Sequence, residues 1–486
     1  MASGASHPNV PGSHADHVQL QDGSITWTYS SDKTAGQATV DQVLFTIESS
    51  SSPSIKSGKY TICCLKEDLE NPSHPHPFEL LLLTTNHLPE SLRQQRPLIP
   101  GLPPHLQSTP ENAVDVIVST KSGVGRAERF WQDVLHPLLR AASSNTTADY
   151  SCNLTVTQHA RSVQGYAKTL GASDISRTII LVSGDGGVVD LLNGRGAPLS
   201  TGPAALPLIA LLPLGTGNAL FHSLHKTLES TPGPTSLVLG LRTLFLGVAA
   251  NLPVFKASFT PGSQVVSYAS PDTAAATTQE DVTALQRQDR AVPSLYGAIV
   301  ASYALHASIV YESDTPEYRV HGSARFGMVA EQLLQGSHRY KATLDAKRPG
   351  CAAFERDPRD THGYVLVSMV SNLEKTFTIS PDTRPLDGKL HLVQFGPVGG
   401  KKVMQAMMAA YDGGKHTALE WEDGERVRYE EVSAVRVVTE EDDARWRKFC
   451  VDGTIVDVPR GGGMSVEAVD ETVFRVLVDK RARGYN

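Results

Sequence analysis

No stretch of this 486-residue sequence is apolar over the length of a bilayer span. The longest apolar stretch, Ser236 to Phe255, is broken by Gly240, Arg242, Gly247, Asn251 and Pro253, which argues against a spanning helix and leaves peripheral membrane contact as the expectation. Cysteine is scarce: Cys63, Cys64, Cys152, Cys351 and Cys450 are odd in number and show no CxxC spacing, so neither a disulfide framework nor a zinc site is expected. They read as reduced, intracellular thiols. Positive charge is also short, with 44 Lys and Arg against 51 Asp and Glu and a net charge of −7, so nucleic acid is not an expected partner. The opening MASGASHPNV has no apolar core of a secretory signal and no Arg-rich amphipathic pattern, so a cytoplasmic location is expected.

What is present is a globular composition, 40% hydrophobic and 20% charged, over a length that suits two or three packed units. Short alternating runs such as SITWTYS, DQVLFTIES, KYTICCL and FELLLLTT read as a β-rich extension over 1–100, ending in the proline-bearing linker RQQRPLIPGLPPHLQSTPEN. From Val114 strands alternate with helices. VDVIVST is followed by AERFWQDVLHPLLRAA, with Phe130, Val134 and Leu138 on one helical face, and TIILV and LPLIALLP follow. The pattern predicts a doubly wound α/β domain over 112–235 with a parallel sheet. Residues 236–486 read as a mainly antiparallel β-sandwich, with YGAIVASYALHASIVY, YVLVSMVS, KLHLVQF, VSAVRVVT and FRVLVD as strands. Residues 260–292, rich in Ser, Thr, Ala and Gln, read as a mobile insertion without assignable chemistry.

Three glycine-bearing turns each follow an apolar strand: Ser119-Thr120-Lys121-Ser122-Gly123-Val124-Gly125-Arg126, Ser183-Gly184-Asp185-Gly186-Gly187 and Leu214-Gly215-Thr216-Gly217-Asn218. Glycine lets backbone N–H groups wrap an anion, and a following helix directs its positive end at the same point. One such loop is an ordinary βα turn as readily as a phosphate site. Three at the carboxyl ends of strands in one doubly wound sheet line a single crevice and can face one nucleotide, with Lys121 and Arg126 as cationic partners.

In order and spacing, STKSGVGRA, SGDGGVVDLLNG and LPLGTGNAL resemble the nucleotide-binding motifs of the diacylglycerol kinase catalytic domain. ESDTPEYRVHGSARFG is similar to the segment of sphingosine and ceramide kinases that carries two phosphate-contacting arginines, here Arg319 and Arg325. Their separation of six would place both on one face of a strand. The resemblance covers roughly 113–480 and ends at RWRKFCVDGTIVDV. It implies a kinase that uses ATP and Mg²⁺ to phosphorylate a lipid at a membrane surface. Its phosphate-binding positions would be the Ser, Thr, Lys, Arg, Gly and Asn residues of the three turns, together with Arg319 and Arg325. Asp185 would be the catalytic aspartate, and Asp190 an orienting residue.

A carboxylate suits the proton-accepting role because in a loose transition state the proton leaves late. The competing reading of Asp185 is an N-cap of the helix it precedes. No metal motif is visible, and His159 reads either as a packed histidine or as part of the family's T-x-H-A stretch.

Three positions depart from the pattern. Ser119 and Thr120 replace Asn-Pro, Thr454 stands where a glutamate is expected after Asp452-Gly453, and Ser308 stands where sphingosine kinases carry a head-group aspartate. Glu312 and Asp314 lie close enough in sequence to compensate, whereas Asp423-Gly424-Glu425 reads as a separate surface loop. With Ser308 and Glu312 as the substrate-binding candidates, a sphingoid base is placed first and diacylglycerol or ceramide second. An inactive lipid-binding relative is a further alternative, and a dimer is left open.

Overall fold

The structure, a computed structural model, describes residues 13–49, 59–68, 76–144, 150–159, 161–172, 175–195, 206–229, 232–269, 286–319, 321–322 and 324–482. At its centre the apolar segments Asn112–Val118, Ser176–Ser183 and Leu208–Pro213 lie side by side as parallel strands, with Asn153–Val156 parallel at one edge. The period of two along a strand sends alternate residues into two cores. Ile117, Ile179, Leu181 and Ile209 face one, and Val116, Val118, Ile180, Val182 and Ala210 face the other. The second strand in sequence lies on one side of the first, while the third and fourth lie on the other. The connection reverses direction between Asn112–Val118 and Ser176–Ser183, which opens a crevice at their carboxyl ends.

This sheet extends beyond the residue-235 boundary expected from the sequence. Arg475–Val478 adds a parallel strand beside Leu208–Pro213, and Val248–Asn251 pairs antiparallel with it at the edge. The Ser236–Leu246 helix packs Leu237, Val238, Leu241, Leu244 and Phe245 into the second core, the spacing of an amphipathic face. Its cap is Thr235, whose hydroxyl accepts from Val238 N at 3.2 Å.

The N-terminal β-rich unit is a seven-stranded sheet. One face makes its own cluster around Ile25, Trp27, Val43 and Ile62. The other continues the second core: Phe45, Leu65 and Phe78 pack with Phe130, Val134 and Leu138 of the helical stretch after the first glycine loop. Phe45 lies 4.5 Å from Phe245, and Phe78 meets Phe130 edge-on at 5.2 Å. The Arg242 guanidinium also donates to the carbonyls of Asp41 and Val43. The extension is therefore a structural wall of the α/β unit.

The C-terminal part is two antiparallel sheets, of seven and eight strands, around the first core. Two segments differ from expectation. YGAIVASYALHASIVY is a strand only to Ala304, and Leu305–Ser313 is a helix. The break is at Ala304, whose φ of 65° is costly for a residue with a Cβ. In the expected insertion, Gln264–Ala269 and Gln286–Ala291 pair antiparallel, and 270–285 lie outside the described residues.

Candidate functional site

The three glycine turns leave the carboxyl ends of adjacent strands and close on one another through their backbones. A Cβ on Gly123 (φ +53°) would lie 2.5 Å from the Leu214 carbonyl oxygen, and a Cβ on Gly184 would lie 2.7 Å from Gly215 Cα. Real Cβ atoms do not approach this closely, so glycine at these positions permits the contact between loops. Gly184 N also donates to Ser122 Oγ at 3.4 Å. Asn218, left-handed at φ 52°, holds the third loop: its Oδ1 accepts from Gly215 N at 2.9 Å and its Nδ2 donates to Gly215 O at 3.0 Å. Ser119 N donates to Val182 O, and Thr120 Oγ1 to Thr157 O, which ties the substituted start of the first loop to the sheet without an Asn-Pro pair. Ser183 Oγ donates to Gly184 O, Gly187 packs over Ser183, and Gly217 approaches Leu373 O. Gly186 is exposed with open space beside it, and Lys121 is exposed.

Asp185 is the first residue of the Asp185–Gly194 helix, whose N-cap is Gly184. Its carboxylate serves the next helix, Ala219–His225: Oδ2 accepts from Ala219 N at 2.7 Å and Oδ1 from Leu220 N at 3.2 Å. The capping alternative is thus corrected in its target, because Asp185 caps across two loops. Burial raises its pKa, while the two backbone donors and His222 hold it down. His222 itself contacts Glu229 Oε1 at 2.8 Å.

A second carboxylate shares this neighbourhood. Asp452, at φ 46° in its turn, accepts from the backbone N–H groups of Ala298, Ile299 and Val300 at 2.7, 3.1 and 2.7 Å. Burial pushes it up to about 7, and the Asp185 charge adds to the rise. In the sequence the Asp452-Gly453 pair marks a turn, but nothing local marks its carboxylate as a neighbour of Asp185. Asp190 accepts from Gln164 Nε2 at 2.9 Å and is raised by burial to about 6. His159 is exposed at the turn after Asn153–Val156. Among the described residues no cluster of three His, Cys, Asp or Glu could hold a metal. Each oxygen of Asp185 and Asp452 accepts at least one backbone bond, and among the described residues the two carboxylates are not joined by a third metal-ligating side chain. The donor set does not fit a metal held by protein alone.

The two arginines expected on a strand are on helices: Arg319 ends Pro316–Arg319, and Arg325 is second in Ala324–Gly336. Even spacing on one strand face therefore does not relate them. Arg325 lies 3.9 Å from Asp314 and over the Phe326 ring. Ser308 is buried on the Leu305–Ser313 helix and accepts from Tyr340 Oη at 2.9 Å, while Glu312 accepts from Arg445 Nε at 2.7 Å. Asp423 pairs with Lys402, and Glu425 accepts from Gly396 N and Arg359.

Beside the glycine loops is a cleft of about 690 Å³, within the range of small-molecule sites. Arg126, Gly215 and Thr216 form one wall, and Gly322, in the turn between the arginine helices, reaches it from another side. Glu67 and Phe78 of the N-terminal sheet also line it, a contribution sequence reasoning missed.

Residues 113–242 match the family model of the diacylglycerol kinase catalytic domain. No curated protein matches the chain. Among solved structures, a diacylglycerol kinase from Bacillus anthracis str. Sterne is similar at 14% identity and a TM-score of 0.45, over 77% of this chain and 100% of the other. A second protein of that strain, also named for diacylglycerol kinase, is similar at 13% identity and a TM-score of 0.47, with the same coverage.

Proposed function

We propose that the protein is an ATP-dependent lipid kinase with Asp185 as the proton-accepting residue, on the premise of the match of residues 113–242 to the diacylglycerol kinase catalytic domain. The observation that carries the reading is the closure of the three glycine loops around the helix start at Asp185, seen in the Gly123–Leu214 and Gly184–Gly215 approaches. Phosphoryl transfer needs positioning and charge neutralisation more than covalent chemistry, and glycine loops packed together at a helix start suit the positioning. Arg126 at the cleft supplies a cation.

Capping does not disqualify Asp185 as a base, since each carboxylate oxygen has a second lone pair beyond the one a backbone donor occupies. The two bonds from Ala219 and Leu220 orient the group, and burial raises its basicity. Mg²⁺ would enter with ATP, held by phosphate oxygens and water.

For the lipid acceptor, two observations point in different directions. The whole-chain resemblance to sphingosine kinases supports a sphingoid base. The side chains near Ser308 support a neutral head such as diacylglycerol or ceramide: Glu312 is engaged by Arg445, and Asp314 lies beside Arg325. An ammonium taken from water needs a carboxylate of its own, whereas a hydroxyl or amide head does not. No helix among the described residues is long and apolar enough to cross a membrane. The Gly400–Tyr411 helix exposes Met404, Met408 and Tyr411 along one side, which supports peripheral contact with a lipid surface.

The test is incubation of purified protein with radiolabelled ATP and, separately, a sphingoid base, ceramide, diacylglycerol and NAD in detergent. Labelled lipid supports the reading and names the acceptor. Label in NAD alone, or in none, refutes it.

A further inference from the structure

One wall of the cleft beside the glycine loops comes from the N-terminal sheet, outside the catalytic domain. Glu67 and Phe78 are direct cross-strand partners on the N-terminal sheet. Phe78 is buried against Phe130, so core packing fixes the position of the pair. Thr235, the cap of the Ser236–Leu246 helix, donates its hydroxyl to Glu67 Oε1. The other carboxyl oxygen, Oε2, is buried without a hydrogen-bond partner. Lys375, on the same cleft, acts on Glu67 only through its charge. A buried charged acceptor left unpaired is unfavourable, so Oε2 calls for a donor.

The chemistry of the walls orients the occupant. The glycine loops and Arg126 offer donors and positive charge, which suit phosphates. A carboxylate is acceptor-only and repels phosphate, so Glu67 suits the end of a nucleotide that carries hydroxyl or amine donors. We propose that Glu67 is a nucleotide-specificity residue supplied by the N-terminal sheet, which accepts a hydrogen bond from the nucleoside while the loops hold the phosphates. The proposal rests on the kinase reading above and adds that the N-terminal sheet is part of the nucleotide site.

The full chain and its E67A, E67Q and T235A variants are titrated with Mg-ATP and with Mg-tripolyphosphate, which has phosphates and no nucleoside. E67A should weaken ATP about ten- to a hundredfold, the range for a lost bond to a charged group, and leave tripolyphosphate within about twofold. E67Q, which keeps an acceptor and the side-chain volume, should restore part of the ATP affinity, and it also serves if E67A does not fold. T235A should move ATP less than E67A. In wild type, 2′-deoxy-ATP, 3′-deoxy-ATP and ITP then locate the donor: the analogue that binds weakly should be the one to which E67A is indifferent. Equal loss of ATP and tripolyphosphate, or no loss of either, overturns the Glu67 assignment and leaves the kinase reading standing. Wild-type protein that binds neither ligand overturns both.

Discussion

Ala219 N lies 2.7 Å from Asp185 Oδ2, so the helix after the third glycine loop begins on the carboxylate of the second. This bond joins loop order to the chemistry of the site. Asp185→Asn should lower turnover at least about a hundredfold, the scale for losing a general base, because the amide keeps one acceptor and loses basicity. Asp185→Ala should also remove the cap and destabilise the fold by about 0.5–2 kcal/mol. Single-turnover kinetics and thermal unfolding of both variants separate the two effects. Equal turnover in Asp185→Asn and wild type would remove Asp185 from the mechanism.

The glycine contacts predict a sharp contrast between neighbours. A Cβ on Gly215 would stand 2.4 Å from Gly184 Cα, whereas one on Gly186 meets nothing within 4 Å. Gly215→Ala should force the second and third loops apart, destabilise by about 1–3 kcal/mol and abolish tight ATP binding. Gly186→Ala, on an exposed helical position, should retain the fold and gain about 0.5–1 kcal/mol in stability. Unfolding midpoints and ATP titrations of the two variants provide the comparison.

The coupled carboxylates predict a pH dependence. Asp452 is raised to about 7 from an ordinary 3.8, so between those values the folded protein holds a proton that the unfolded chain has released. Stability from this group is complete at low pH and is lost as pH rises toward 7. Asp452→Asn should flatten the decline measured by urea unfolding between pH 5 and 7, by roughly 2 kcal/mol at the constant of 1.36 kcal/mol per unit. Activity should run the opposite way, since Asp185 must be ionised to accept a proton. kcat/KM should rise with pH through an apparent value above the usual carboxylate range, and that value belongs to the pair.

The glycine loops were legible because a strand, a run of glycines and a helix start leave their marks within eight residues, with Gly123 and Gly125 left-handed and Gly184 and Gly215 in close approach. Other parts of the site have no local mark. Glu67 ends an ordinary strand, and nothing in KYTICCLKE shows that folding will set it beside Thr235. The apolar run from Ala298 to Tyr311 fits a strand or a buried helix equally, and the break between them is at Ala304, an alanine in a conformation usually left to glycine. The expectation of one strand face for Arg319 and Arg325 failed with it, since that segment continues as helices. Arg475–Val478 is likewise a generic apolar strand, and only long-range pairing shows that it completes the parallel sheet.

Ser308 offers the sharpest test of acceptor choice. It is buried and bonded to the Tyr340 hydroxyl at 2.9 Å, one helical turn before Glu312, whose carboxylate is held by Arg445. Ser308→Asp places a new carboxylate where Tyr340 can donate to it. If the helix face reads the lipid head, an ammonium gains a partner there, whereas a neutral head leaves the charge to be desolvated. The ratio of kcat/KM for a sphingoid base over diacylglycerol should therefore rise by about tenfold or more in Ser308→Asp. Glu312→Gln should leave the ratio near wild type, because that carboxylate already serves Arg445. A fall in the ratio in Glu312→Gln would show that Glu312 reads the ammonium despite Arg445, and would favour the sphingoid base as the natural acceptor. A ratio that is constant across wild type, Ser308→Asp and Glu312→Gln would mean that this helix does not face the lipid head, and head-group recognition would have to be sought elsewhere in the C-terminal sheets.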